Sequence, residues 1–316
     1  MPIVSVIMSV YKEPIKWLQE SIDSILNQTF HDFEFIIICD NPSYSEGIAM
    51  LYSYAEKDHR IVLIENEKNL GLTKSLNKGI TVAKGDFIAR MDADDISLPE
   101  RFEKQISYLE NHPEIGVCGS IIDYMGDRKG VKYYPEKYED MYLFLESPFA
   151  HPTVMIRKNV LSMTRGYDEE FEVSQDYALW TELYAKGVKF YNFQSPLLHY
   201  RVSEQQIMAK KNSMQQKLSC IIRRRALDCY NEKHNIDYKI GDKVITSNEI
   251  DNIKKLLVLP PHIRGSLLFY LYISWNSNVL IKLYKIFQKG DISQIGIFNT
   301  LRILKFQLLN MSAEKF

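Results

Sequence analysis

Three carboxylates fall within four residues, Asp92, Asp94 and Asp95, directly after the apolar run that ends at Met91. On an extended chain, residues two apart point the same way, so the spacing predicts that Asp92 and Asp94 share a target while Asp95 faces elsewhere. Carboxylates that converge on one point repel unless a cation or hydrogen-bond donors lie between them. So few oxygen ligands suit Mg2+ or Mn2+, whose remaining positions are filled by water and phosphate oxygens. The pattern points to a metal–diphosphate site at the end of a buried strand. A solvated acidic turn capping a helix that begins near Pro99 is the competing reading of an Asp-x-Asp taken alone.

The surrounding elements favour the first reading. Ile3 to Val10 and Phe33 to Cys39 are nearly continuous in apolar residues, as strands buried on both faces are. Pro14 opens a helix with Trp17, Leu18, Ser21, Ile22, Ile25 and Leu26 at helical spacing. A helix from Ser45 towards Lys57, a strand Ile61 to Ile64, a helix Leu72 to Ala83 and the strand carrying Asp92 continue the alternation. That rhythm predicts an α/β fold, a mostly parallel sheet flanked by helices. Such sheets bind ligands beyond the carboxyl ends of their strands. Ser9 to Glu13, Asp40 and Asp92 to Asp95 all follow strand ends and are expected at one edge. No glycine-rich dinucleotide turn and no Gly-Lys-Ser/Thr loop is present, so another device must neutralise any diphosphate. Further along, a helix is expected over Leu98 to Leu109, a strand over Ile115 to Tyr124, irregular chain over 125–150, a strand over His151 to Ile156 and a helix over Tyr177 to Lys186.

Beyond Arg201 the pattern changes to Leu/Ile-rich, lysine-studded segments, with helices expected at 207–231, 249–258 and 265–288. The net charge of -1 conceals a division at the same place. Residues 1–203 carry 21 Lys+Arg against 31 Asp+Glu, and residues 204–316 carry 18 against 9. We therefore expect an acidic domain over 1–203, the one bearing the carboxylate cluster, and a basic helical region over 204–316. The latter would meet an anionic membrane surface, a second copy of the chain, or the first domain. The longest charge-free stretch, Gly265 to Ile281, is too polar for a span, four cysteines show no metal-ligand spacing, and no signal peptide is evident. A cytoplasmic protein, peripheral at the inner face of the cell membrane, is the expectation. Nucleic-acid binding finds no supporting motif.

Four blocks carry a family resemblance: Val4 to Glu13, Asn69 to Gly79, Met91 to Asp95 and Ser174 to Trp180. Together, in this order and at these separations, they make the first 203 positions resemble the family-2 inverting glycosyltransferases of the GT-A fold, bacterial capsule and exopolysaccharide type. The resemblance implies a nucleotide-sugar donor with UDP favoured, a Mn2+ or Mg2+ ion, and transfer of one sugar with inversion to a glycan or lipid-linked acceptor. Carried onto this chain, Ser9, Tyr11 and Glu13 line the nucleotide pocket and Asp40 accepts from the base. Asp92 meets ribose or metal, Asp94 the metal, and Asp176 is the general base. Lys74 reaches the nucleotide or is simply an exposed helix lysine. Asp95 holds the donor sugar or caps a helix, His151 touches phosphate or acceptor or is a packed structural residue, and Arg201 clamps the diphosphate. Three departures stand out: Cys39 replaces the first of the usual paired aspartates, Leu76 replaces an arginine, and Gln175 replaces the glutamate before Asp176. A nucleotidyltransferase would need an early glycine-rich basic signature, which is missing. A non-catalytic nucleotide-sugar binder could dispense with Asp94 and Asp176, both of which are present.

Overall fold

A computed structural model of the chain describes residues 1–136, 147–203 and nine positions between 218 and 232, all nine helical. The helices expected at 249–258 and 265–288 lie outside the described residues. The chain runs β1 (Val4–Val10), α1 (Ile15–Leu26), β2 (Phe33–Cys39), α2 (Ser45–Lys57), β3 (Ile61–Glu65), α3 (Leu72–Val82) and β4 (Phe87–Asp92). There follow β5 (Ile96–Ser97), α4 (Arg101–Asn111), β6 (Ile115–Ser120), β7 (Ile122–Gly126) and β8 (Gly130–Lys132). A 3-10 turn (His151–Thr153), β9 (Met155–Arg157), α5 (Lys158–Leu161), α6 (Gln175–Ala185), β10 (Lys189–Phe193) and β11 (Leu198–Val202) complete it.

The main sheet has seven strands in the order β10-β6-β9-β4-β1-β2-β3, parallel except for β9, which runs against both its neighbours. A four-stranded sheet, β5-β11-β7-β8, stands beside it. Because side chains alternate along a strand, each central strand serves two layers. Val6, Met8, Phe35, Ile37, Ala89 and Met91 join Leu18, Ile22 and Ile25 of α1 and Phe102 and Ile106 of α4 in one core. Ile7, Ile38, Ile88 and Arg90 occupy the other face, under α3. Gly79 lets that helix settle there: a Cβ at this position would stand 2.7 Å from Ile7 Cγ2 and 2.9 Å from Ile38 Cδ1.

Two expectations need correction. Ile115 to Tyr124 is not one strand: it breaks after Ser120, and its halves belong to different sheets. The Thr153 hydroxyl accepts the Ser120 amide, and Ile121 donates instead to Phe193. Apolar periodicity reports burial and is blind to such a change of sheet. His151 to Ile156 is likewise not all strand. Pro152 lacks an amide hydrogen for a ladder, and the chain turns there before β9 begins.

Candidate active site

The sheet register gathers the expected residues at one rim. Ser9 stands opposite both Ile38 of β2 and Asp92 of β4, and Val10 opposite Cys39, so Asp40 follows at the same level. The Asp40 amide donates to the Val10 carbonyl at 2.7 Å. Beyond β1, Glu13 Oε2 accepts the Tyr11 amide at 2.9 Å, while the Tyr44 hydroxyl donates to the Glu13 carbonyl. Burial, helped by the nearby charge of Asp92, pushes the Glu13 carboxyl up. Tyr11 is exposed. Lys74, in the first turn of α3, is also exposed.

Asp40 is buried, and its oxygens are already engaged. Oδ1 accepts from Asn66 Nδ2 and the Leu70 amide, and Oδ2 from the Gly71 amide, each at 2.8 Å. A carboxylate offers about four lone-pair directions, so one on Oδ2 is left for a ligand. Asn66 in turn donates to Ser75 Oγ and accepts Lys78 Nζ at 2.8 Å. This carboxylate therefore folds the Asn69–Gly71 turn as well as facing the rim. We expect Asp40→Ala to lower unfolding free energy by about 3 kcal/mol, because two backbone amides lose a charged acceptor. Urea denaturation measures it.

The acidic turn differs from the extended picture. β4 ends at Asp92, and Ala93 and Asp94 form a turn, the Asp95 amide reaching back to the Asp92 carbonyl at 3.5 Å. The two-residue alternation therefore does not decide where Asp94 points. Asp92 is partly exposed and accepts a hydrogen bond from Arg90 Nη2; its carbonyl accepts Ser21 Oγ of α1 at 2.8 Å. Asp95 is not a helix cap, since α4 starts only at Arg101. It is 1% exposed, and its Oδ1 accepts the Arg201 amide at 2.8 Å while Oδ2 has no partner among the described residues. Burial first, then the charges of Asp92 and Asp94, hold its carboxyl well above the ordinary carboxylate range. It is buried and secures β11 through the Arg201 amide. Arg201 is engaged too: Nε donates to the Asp94 carbonyl at 2.7 Å, Nη2 to Glu20 Oε2 at 2.6 Å, and the guanidinium lies 5.0 Å over the Trp17 ring. In this conformation it braces the acidic turn.

Among the described residues no three His, Cys, Asp or Glu side chains converge on a metal position. The donor set nonetheless fits a hard divalent cation. Asp92 and Asp94, both partly exposed, are the carboxylates that would hold it, and Mg2+ and Mn2+ commonly bind through one or two carboxylates with phosphate and water completing the shell.

His151, Tyr167 and Asp176 also lie within electrostatic reach of Arg90. Asp176 is in the first turn of α6, which follows Ser174 at φ 63°, the one left-handed non-glycine residue among the described residues. Strain of that kind persists where its surroundings fix it, commonly at working sites. Ser147 Oγ donates to Asp176 Oδ2 at 3.2 Å. Burial raises the Asp176 carboxyl above its usual value, opposed by the Tyr177 amide, Ser147 and the charge of Arg90. His151 Nε2 meets the Tyr167 hydroxyl at 2.7 Å, and burial together with Arg90 holds the imidazole well below its usual pKa, hence neutral. The Asn69–Gly79 block explains itself here. Asn77 on α3 pairs twice with the Tyr167 backbone, both bonds 2.8 Å, and Thr73 Oγ1 donates to the Phe171 carbonyl at 3.0 Å. Thus α3 carries the chain that leads into Asp176.

Sequence reasoning overlooked Arg90, Tyr167, Ser147 and Asn66. Arg90 left a legible signal, a single charge inside the apolar run Phe87 to Met91. Its side chain is 4% exposed, and its Nε and Nη1 have no hydrogen-bond partner among the described residues. Burial opposes its charge, but Asp92, Tyr167 and Asp95 more than offset that. This one guanidinium acts electrostatically on Asp92 and on Asp176.

Comparison with known proteins gives the following. The family described as Glycosyl transferase family 2 matches residues 5–165. An uncharacterized glycosyltransferase of Methanocaldococcus jannaschii is 42% identical over 207 residues, covering 64% of this chain and 71% of its own. An O-antigen biosynthesis glycosyltransferase of Escherichia coli is 39% identical over 204 residues, covering 63% and 79%. Among solved structures, Staphylococcus aureus TarS 1–349 in complex with UDP-GlcNAc aligns with TM-score 0.55 at 20% identity, over 65% of this chain and 59% of that one. A mannosyltransferase of Pyrobaculum calidifontis in complex with GDP-Man and Mn2+ aligns with TM-score 0.53 at 13% identity, over 92% and 88%. The structural likeness establishes a GT-A fold.

Proposed function

Since the chain belongs to glycosyl transferase family 2, we propose that it moves one sugar, with inversion, from a UDP-sugar to a hydroxyl of a glycan or lipid-linked acceptor in cell-surface polysaccharide synthesis. The observation that supports this above all is buried Arg90, which is paired with Asp92 and whose charge also reaches Asp176. This supports reading Asp92 on the donor side and Asp176 as base within one site. The donor identity draws on the UDP-GlcNAc complex of TarS, and the polysaccharide on the O-antigen relative.

In this reading Tyr11 and the free lone pair of Asp40 receive the base, and Ser9 and Glu13 line the pocket. Asp92 and Asp94 hold the divalent cation, Mn2+ or Mg2+, which when bound supplies positive charge to the departing diphosphate. Asp176 takes the proton of the acceptor hydroxyl as its oxygen attacks the sugar C1. The C1–oxygen bond to the nucleoside diphosphate breaks on the opposite face, and the electron pair leaves with the diphosphate. Lys74, exposed on α3, is free to approach that diphosphate. Arg201 holds the turn bearing Asp94. The basic region 204–316 would attach the enzyme to an anionic leaflet, near a lipid-linked acceptor; no helix among the described residues is long and apolar enough to cross a membrane.

Two experiments test the reading. A thermal-shift panel of nucleotide sugars with and without Mn2+ should give its largest stabilisation with a UDP-sugar plus metal; stabilisation by GDP-sugars alone would sink the donor assignment. The pH profile of kcat is the second. The base must be ionised to act, and burial raises its folded pKa above 3.8. Activity should therefore fail on the acid side at a higher pH than an ordinary aspartate gives, and Asp176→Glu should move that limb. An acid limb that ignores this substitution belongs to another group.

A further inference from the structure

His151 is held from one side only. Its Nε2 lies 2.7 Å from the Tyr167 hydroxyl, whereas Nδ1 has no partner among the described residues and the residue is partly exposed. Tyr167 is 5% exposed, and its backbone is fixed at both N–H and C=O by Asn77. The fit is close: Gly166 adopts φ +84°, and a Cβ there would stand 2.6 Å from Asn77 Oδ1. A phenol can donate one hydrogen bond, and among the described residues the acceptor within reach of this one is the imidazole. Were Nε2 to carry the proton, the phenolic hydrogen would be buried without an acceptor, at a cost of roughly 1–3 kcal/mol. With the phenol donating, the single proton of the neutral ring resides on Nδ1.

We propose that Tyr167 is a positioning residue that fixes His151 in its Nδ1–H tautomer, so that the imidazole faces bound substrate as a hydrogen-bond donor and leaves proton abstraction to Asp176. The inference rests on the reading of Asp176 as base and goes beyond it by dividing the labour between two residues, each of which could have been taken for the base. Arg90 reinforces the division by disfavouring an imidazolium beside it. The substrate partner of Nδ1–H is an oxygen that gains negative charge or loses a proton during transfer.

Imidazole nitrogen NMR of the full-length protein tests this directly, with His151 assigned by its loss in His151→Asn. Wild type should show a protonated Nδ1 and an unprotonated Nε2. Tyr167→Phe should remove the bias and lower kcat by about 10- to 100-fold with the donor KM unchanged. The amide nitrogen of Asn stands near the place of Nδ1 and that of Gln near Nε2. His151→Asn should hence keep kcat within about 10-fold of wild type, and His151→Gln should lose on the order of 100-fold. A protonated Nε2 in the unmodified protein, or the reverse order of the Asn and Gln variants, would overturn the proposal. Asp176→Asn reports on the base separately: normal turnover there would refute the base while leaving the measured tautomer intact.

Discussion

Asp176→Asn should lower kcat by about 100- to 10,000-fold, the usual range for loss of a general base, while the dissociation constant for a UDP-sugar changes little. The substitution preserves shape, and Ser147 Oγ, 3.2 Å from Asp176 Oδ2, can keep a hydrogen bond to the amide. Stability should not fall. Burial raises the Asp176 carboxyl, so at neutral pH the folded state bears a charge less comfortably than the unfolded chain does. A neutral Asn removes that burden. Lost turnover in a protein at least as stable as wild type then means lost chemistry. Calorimetric donor titration beside single-turnover transfer separates the two, and near-normal turnover would remove Asp176 from the mechanism.

Asp94→Ala should abolish the metal-dependent part of donor binding. A ligand at about one hundred times its dissociation constant stabilises the native state by about 2.7 kcal/mol, which for a domain of this size is a rise in Tm of roughly 5–10 °C. Wild type should show such a rise with UDP and Mn2+ and lose most of it in EDTA. The variant should show the EDTA behaviour at every Mn2+ concentration. Its fold should survive, because the turn is braced through backbone: Arg201 Nε donates to the Asp94 carbonyl and Asp95 accepts the Arg201 amide. An unchanged Mn2+ response in Asp94→Ala would assign the cation elsewhere.

The parallel sheet was legible because β1, β2 and β4 are apolar on both faces, a pattern that only doubly covered strands need. The rim was legible for a topological reason: parallel strands in register bring Ser9 and Asp92 side by side. Other features were hidden in partners distant in sequence. Nothing in Ile115 to Tyr124 announces that Ser120 is tied to Thr153, so the change of sheet was missed. Asp95 was expected to hold the donor sugar or cap a helix and Arg201 to clamp the diphosphate; the bond between them, across 106 positions of chain, was not legible. Asn77 was visible as part of a block, but its task depends on Tyr167, 90 residues away. Arg90 was visible as an isolated charge, and only the third dimension shows it paired with Asp92 and its charge reaching Asp176.

The anomeric configuration of the first product bears most directly on the central claim, that acceptor activation and diphosphate departure occur on opposite faces of the sugar. With the full-length protein, an α-linked UDP-sugar and an acceptor that it glycosylates, proton NMR of the new linkage should show the β anomer formed from the outset. An α-linked product would mean that the two steps share a face, and the placement of Asp176 as the base opposite the leaving group would be wrong.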